Sequence, residues 1–127
     1  MVNMILLQLY ADGAFGIPTV TPNLALDVSR LDLWARFQLM PTTTRKANFV
    51  QTENNGILQI TLFVPIGTDD TLINAKAYAI TQHFGTQQSH NVLGHRVNIM
   101  SSHIETAMPD SDGKWYMMPI SVEYEIV

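Results

Sequence analysis

The stretch after Lys114 alternates its side chains with the two-residue period of a β-strand. One row is apolar along its whole length and consists of Tyr116, Met118, Ile120, Val122, Tyr124 and Ile126. This row predicts a strand with one face on a hydrophobic core. The opposite row starts apolar and becomes polar, in the order Trp115, Met117, Pro119, Ser121, Glu123 and Glu125. One buried face is enough to hold a strand, so the apolar start of the second row predicts a further covering surface, either a helix of the same chain or a partner protein.

Two segments show the longer spacing of amphipathic helices. The first has apolar residues at Val2, Ile5, Leu6 and Leu9, followed by Gly13, which is well placed to end a helix. The second is clearer, and its apolar face consists of Ile73, Ala77, Ile80 and Phe84. We expect Thr68 or a following aspartate to cap its start and Gly85 to stop it.

Alternation also predicts two strands before the second helix. In the segment 33–41, Leu33, Ala35 and Phe37 share one side, and Pro41 ends the strand. The segment 56–65 is predicted to be a central strand covered on both faces. Its inward side has Leu58, Ile60, Leu62 and Val64, and its opposite side has Ile57, Gln59, Thr61 and Phe63.

The residues between these two strands are polar and predict a hairpin arm from Thr42 to Asn55. The arm ends at Asn54, Asn55 and Gly56, which we expect to form a tight turn with positive backbone φ angles. A second such turn is expected at Gly113. The segment 92–109 predicts a broken extended stretch.

The resulting order is α-β-β-β-α-β-β, without internal repeats. It predicts an α+β fold in which two helices pack on a mainly antiparallel sheet. A chain of 127 residues is within the range of one domain, so we expect residues 1–127 to form a single domain.

Composition limits the possible partners. Only 14% of the residues are charged, against about 25% in an average domain. Such a surface is covered either by neutral polar residues or by other subunits. The formal net charge of −4 argues against a nucleic-acid binder, and no segment has the length of a membrane span. We therefore expect a soluble protein without a membrane partner.

The chemistry of an enzyme is not indicated. The chain has no cysteine, and no two of its four histidines lie four residues apart on one helix, as a zinc site of that type requires. His83 and His90 are explained by surface or capping roles. There is no nucleophile elbow, no phosphate-binding glycine motif and no complete calcium loop. We expect no catalytic residue, no cofactor and no metal ion.

Three stretches, in this order along the chain, resemble the bacteriophage tail terminator and tail-completion family. The strongest is "GILQITLFVPIGTDDTLINAKAYAITQHF", which is similar to that family's strand, Pro-Gly break and helix. The second is "DGKWYMMPISVEYE", which resembles its closing turn and aromatic-rich strand. The third and weaker is "IPTVTPN" followed by "WARFQLMP".

The resemblance implies a structural virion protein at the head-proximal end of the tail. It would form a homo-oligomeric ring, expected to be a hexamer, that ends tube polymerisation and joins the tail to the head. The implied partners are other copies of the chain, the tail tube protein and a neck or head-completion protein, with DNA only as passing cargo. Assembly in the host cytoplasm is implied as well.

Seven residues are candidates for contacts in such a ring. Arg45, Lys46 and Phe49 on the arm, and Trp115 and Met117 on the last strand, are expected at a subunit or tube interface. Glu123 and Glu125 are expected to stay solvated, and to face a lumen through which DNA passes. For Trp115, a covering helix of the same chain explains the apolar residue equally well. For the arm, solubility explains the charged pair equally well.

Three other functions remain open from the sequence. A phage neck or head-completion protein would also form a ring from an α+β chain. A small-ligand-binding domain or an enzyme of this class would need polar groups that converge in an apolar pocket. A regulatory, antitoxin-like module would usually carry a basic DNA-reading element, which the sequence lacks.

Overall fold

The computed structural model describes residues 2–21, 26–41 and 55–127. Within these ranges the chain forms two helices and seven strands. The helices are α1 (Val2–Asp12) and α2 (Thr71–His83). The strands are β1 (Thr19–Val20), β2 (Trp34–Pro41), β3 (Asn55–Pro65), β4 (Ser89–Val92), β5 (His95–Ile104), β6 (Met108–Pro109) and β7 (Trp115–Ile126).

The strands form one sheet in the order β1-β2-β3-β7-β5-β4, and β6 pairs with the first residues of β7. Only β1 runs parallel to its neighbour, β2, and all other pairs are antiparallel. The predicted α+β class is therefore confirmed. The part of the chain after α2 forms four strands rather than the two expected, because a tight turn divides β4 from β5 and the extended stretch breaks again before β6.

Both helices cover the same face of the sheet, here called the inner face. The apolar row of β7 points to this face and joins Leu58, Ile60 and Leu62 of β3 in one core. The predicted helix faces supply the other side of the core, because Ile5, Leu6 and Leu9 of α1 and the four expected residues of α2 are all buried. Burial of each such aliphatic side chain contributes about 1.5–3 kcal/mol.

The opposite face, here called the outer face, has no described helix on it. It carries the second row of β7 and its cross-strand neighbours in β3, β2 and β5. The prediction that a helix of the chain covers the start of this row is wrong for the described residues, because α1 and α2 both belong to the inner-face core.

The tight turn expected at Asn55 and Gly56 is also wrong. Both residues belong to β3, where Gly56 lies opposite Pro41 and Tyr124. A Cβ atom at Gly56 would lie 3.1 Å from the Tyr124 hydroxyl oxygen and 3.3 Å from the Met40 carbonyl oxygen, so a larger residue would require these neighbours to shift. Gly113 does have the expected positive φ, of 71°. The remainder of the predicted arm, residues 42–54, lies outside the described residues.

Candidate assembly surfaces

The outer face has an apolar half, built by residues that meet across three strands. Trp34 of β2 stacks on Phe63 of β3, with ring centroids 4.0 Å apart and planes 6° apart. The ring of Trp115 on β7 meets Trp34 edge-on at 5.7 Å. We call these three residues the aromatic cluster. The register explains it, because Phe63 lies directly opposite Trp34 on one side and Met117 on the other.

A cation completes this part of the surface. The guanidinium carbon of Arg36 lies 5.2 Å from the centre of the Phe63 ring, within the range of a cation–π interaction. Within the described residues, Arg36 Nε and Trp34 Nε1 are buried without a hydrogen-bond acceptor. Buried donors are nearly always paired in folded proteins, so both donors require an acceptor from outside the described residues, such as water or another part of the assembly.

Trp34 and Phe63 are buried, whereas the two interface candidates from the sequence, Trp115 and Met117, are half-buried. Met117 lies opposite Met108 of β6, which is exposed. Aromatic side chains of the same chain thus supply part of the second covering surface that the sequence predicted for Trp115.

A cavity of about 550 Å³ borders the cluster, here called the Trp115 cavity. Its apolar lining comes from Leu26, Val28, Pro65 and Trp115. Its charged lining comes from Asp27, Asp112 and Lys114, so the formal charge of the cavity is −1. The cavity lies at the end of the sheet where β3 ends and β7 begins.

The other half of the outer face is polar and acidic. Glu123 and Glu125 are exposed, as expected, and the hydroxyl of Ser101 donates a hydrogen bond to Glu123 at 3.3 Å. The hydroxyl of Ser121 donates to Glu105, whose carboxylate lies 4.0 Å from His103 Nε2. The ionisable side chains of this half, His103, Glu105, Glu123 and Glu125, are all exposed to solvent.

Two of the histidines have structural contacts. His83 ends α2, and its Nε2 lies 2.7 Å from the carbonyl oxygen of Leu9, which ties the two helices together. The ring of His90 on β4 lies 5.5 Å from that of His83. Burial, followed by the nearby His83, lowers the pKa of His90. Within the described residues, no group of three or more histidine, aspartate or glutamate side chains is arranged to bind a metal ion.

Sequence reasoning placed Trp115, Met117, Glu123 and Glu125 on one row, and the structure confirms that they share the outer face. Arg45, Lys46 and Phe49 lie outside the described residues. Reasoning from the sequence missed Arg36 and the stacking of Trp34 on Phe63. The available signal was the second row of the strand at 33–41, in which Trp34 and Arg36 alternate with the core residues.

The turn between β4 and β5 was also missed. Leu93 and Gly94 form its two residues, with φ angles of 50° and 82°. Both angles are left-handed, as a type I′ turn requires, and asparagine or glycine is favoured at its first position. A left-handed leucine costs about 1–2 kcal/mol, and its side chain is 56% exposed.

Comparison with known proteins agrees with this fold. The family model described as "Phage tail terminator protein" matches residues 5–124. One solved structure superposes with a TM-score of 0.70 and 16% sequence identity, over 99% of this chain and 93% of its own length. At this identity the likeness shows the fold alone. No curated protein matches the sequence.

Neither of the described helices is long and apolar enough to cross a membrane. The family model covers nearly the whole chain, including most of α1 and the whole of α2, β2, β3 and β5. The chain therefore belongs to the phage tail terminator protein family, a family of structural proteins of the virion tail.

Proposed function

We propose that this protein caps the head-proximal end of a phage tail tube as a homo-oligomeric ring of six subunits. The ring ends tube polymerisation and presents a surface to a neck or head-completion protein. Family membership over residues 5–124 carries the proposal.

The division of the outer face supports this function. A subunit of a ring needs apolar surface for its neighbours, and a ring around passing DNA needs a lumen that does not bind phosphates. The half-buried Trp115 and Met117 supply the first, and the exposed pair Glu123 and Glu125 supplies the second. Both sets lie on one strand, so the position of β7 in the ring would fix the two surfaces together.

Tube growth tests the proposal directly. Tail tube protein is polymerised alone and with increasing amounts of the purified chain, and tube lengths are measured by negative-stain microscopy. We expect mean length to fall as the chain is added, with extra density at one end of each tube. Tubes of unchanged length and bare ends at every ratio would contradict the capping function.

A double variant tests whether Glu123 and Glu125 face the lumen of the ring. Glu123→Lys combined with Glu125→Lys should leave ring formation intact, since both side chains are exposed, but should slow DNA release because the lumen would then attract phosphates. The readout is the rate of DNA release from assembled particles. Asp32→Lys, at an exposed residue before β2, is the matched control. Unchanged release in the double variant would argue against a lumenal position.

The arm is tested by Arg45→Glu with Lys46→Glu, and Phe49→Ser is made separately. If the arm docks on the tube or on the adjacent subunit, both variants should lose capping while their thermal unfolding stays unchanged. Arg30→Glu, at an exposed turn, is the control. Normal capping by both arm variants would show that the arm makes no assembly contact and that its charged pair serves solubility.

A further inference from the structure

The hairpin of β4 and β5 carries an exposed apolar residue at its tip, where the fold of one chain gives no reason for it. Leu93 occupies a left-handed position that favours asparagine or glycine, and 56% of its side chain is exposed. The backbone strain costs free energy in the isolated subunit, where the exposed side chain gains no burial to offset it. Residues held against local preference occur most often where they make a functional contact.

The sheet topology places this tip and the Trp115 cavity far apart in one subunit. β4 is the edge strand opposite β1, and the tip lies at the end of the sheet where β7 ends, because Val97 pairs with Ile126. The cavity lies at the other end, where Pro65 pairs with Trp115. The tip of one subunit therefore meets such a cavity only in another copy, in a head-to-tail contact of the kind that closes rings.

The two surfaces also have complementary chemistry. The cavity offers an apolar lining of Leu26, Val28, Pro65 and Trp115, and its formal charge is −1. The tip offers the Leu93 side chain and, in the second residue pair behind the turn, the exposed cation Arg96. Within the described residues, Arg96, Asp27 and Asp112 form no ion pair with each other or with other side chains. The ion pair found in these residues joins His103 Nε2 to the Glu105 carboxylate at 4.0 Å.

We infer that Leu93 of one subunit inserts into the Trp115 cavity of the next copy, where Arg96 pairs with Asp112. This inference rests on the proposed ring and names the contact that builds it. It also explains why Trp115 is only half-buried in a single chain: the rest of its surface is covered by the neighbour.

The first variant separates the contact from the fold. Leu93→Asn places a residue that tolerates left-handed φ in the turn, so the variant should unfold at the same or a higher temperature than the parent. Its association should be roughly tenfold weaker or more per contact, because an apolar side chain leaves a buried site. Leu72→Gln, at a 44% exposed leucine of α2, is the control and should assemble normally.

The second variant identifies the cavity. Arg96→Asp and Asp112→Arg should each weaken ring formation, and the two combined should restore it, because the pair is then reversed rather than broken. Asp32→Arg should not restore assembly of Arg96→Asp. Ring formation is followed by light-scattering mass as a function of concentration.

The outcomes separate this contact from the function. A parent chain that forms no ring, alone or on tubes, contradicts the proposed function itself. If the parent forms rings and Leu93→Asn forms them equally well, the tip contact is overturned. If Leu93→Asn forms rings that no longer cap tubes, the tip binds the tube and the self-contact is likewise overturned. Loss of rings in Arg96→Asp without rescue by Asp112→Arg overturns the assignment to this cavity.

Discussion

At the scale of residues, Phe63 holds the apolar half of the outer face together. It is 3% exposed, stacks on Trp34 at 4.0 Å and lies under the guanidinium of Arg36 at 5.2 Å. It does not belong to the inner-face core, so a second and smaller apolar cluster stabilises the other side of the sheet. The chain has two tryptophans, and both lie in this cluster.

Phe63→Ala should therefore destabilise the fold by about 3–5 kcal/mol, the usual cost of removing a buried phenylalanine. It should also shift tryptophan emission to the red, because Trp34 and Trp115 lose their cover. Urea unfolding followed by fluorescence measures both effects. Tyr78→Ala, at a side chain 63% exposed on α2, should change stability by no more than about 0.5 kcal/mol. A small loss at Phe63 with unchanged emission would show that the cluster is not a packing unit.

His90 predicts a dependence of stability on pH. Burial, and then His83, lower its pKa below the ordinary value of 6.5, while Asp12 and the main chain of His83 partly oppose the shift. Well above pH 6.5 the residue is neutral in both the folded and the unfolded states. As the pH falls below that value the unfolded state binds the proton first, so stability is lost.

His90→Gln keeps a neutral side chain at every pH and should lose less stability than the parent between pH 7.5 and pH 5. Thermal unfolding at a series of pH values measures the difference. Asn91→Gln, at an exposed and non-titrating neighbour of His90, is the control and should follow the parent curve. Parallel curves for the parent and His90→Gln would contradict the assignment.

At the scale of elements, one of two adjacent aspartates stabilises the start of α2 through a side-chain hydrogen bond. Asp69 Oδ1 accepts a hydrogen bond from the backbone N–H of Thr71 at 2.7 Å, whereas Asp70, at the N-cap, makes no side-chain cap bond. The contacts with Thr71, side chain first and backbone second, lower the pKa of Asp69.

Asp69→Ala should consequently reduce thermal stability more than Asp70→Ala does, although both acids interact with the same helix dipole. Because the two residues are adjacent and exposed, the comparison isolates the hydrogen bond. Circular dichroism on heating gives the two melting temperatures, and equal losses would show that only the dipole matters.

The sequence predicted the elements where one periodic row faces one core. The inner row of β7 and the buried face of α2 were predicted residue by residue, since Ile73, Ala77, Ile80 and Phe84 are all fully buried. The prediction of a turn at Asn55 and Gly56 was wrong because the same residue types suit both a tight turn and a strand that packs closely against its neighbours. Only the three-dimensional neighbours Pro41 and Tyr124 distinguish the two.

The candidate site was predictable only in part, for a related reason. A two-residue period places Trp115 on a row, but it does not say which strand lies beside it. The contacts of Phe63 with Trp34 and with Arg36 depend on the pairing of β2 with β3 and therefore on long-range register. The Leu93 turn was missed because its residues do not have the composition that a type I′ turn favours.

At the scale of the whole molecule, the described residues form a sheet with one face covered by helices and the other free of them. The inner face is covered by both helices, while the outer face presents an aromatic half beside an acidic half. Low overall charge is consistent with this arrangement, because a subunit that is covered by neighbours needs fewer solvated charges. The outer face is where a ring would take its contacts.

The mass of the assembled protein tests the central claim most directly. Light scattering on the purified chain, alone and with tail tube ends, is combined with negative-stain images of the same samples. The ring proposal predicts a species of about six times the 14.2 kDa chain mass, seen as closed rings or as caps on tubes. A monomer at every concentration, in mixtures where the tubes stay uncapped, would contradict it.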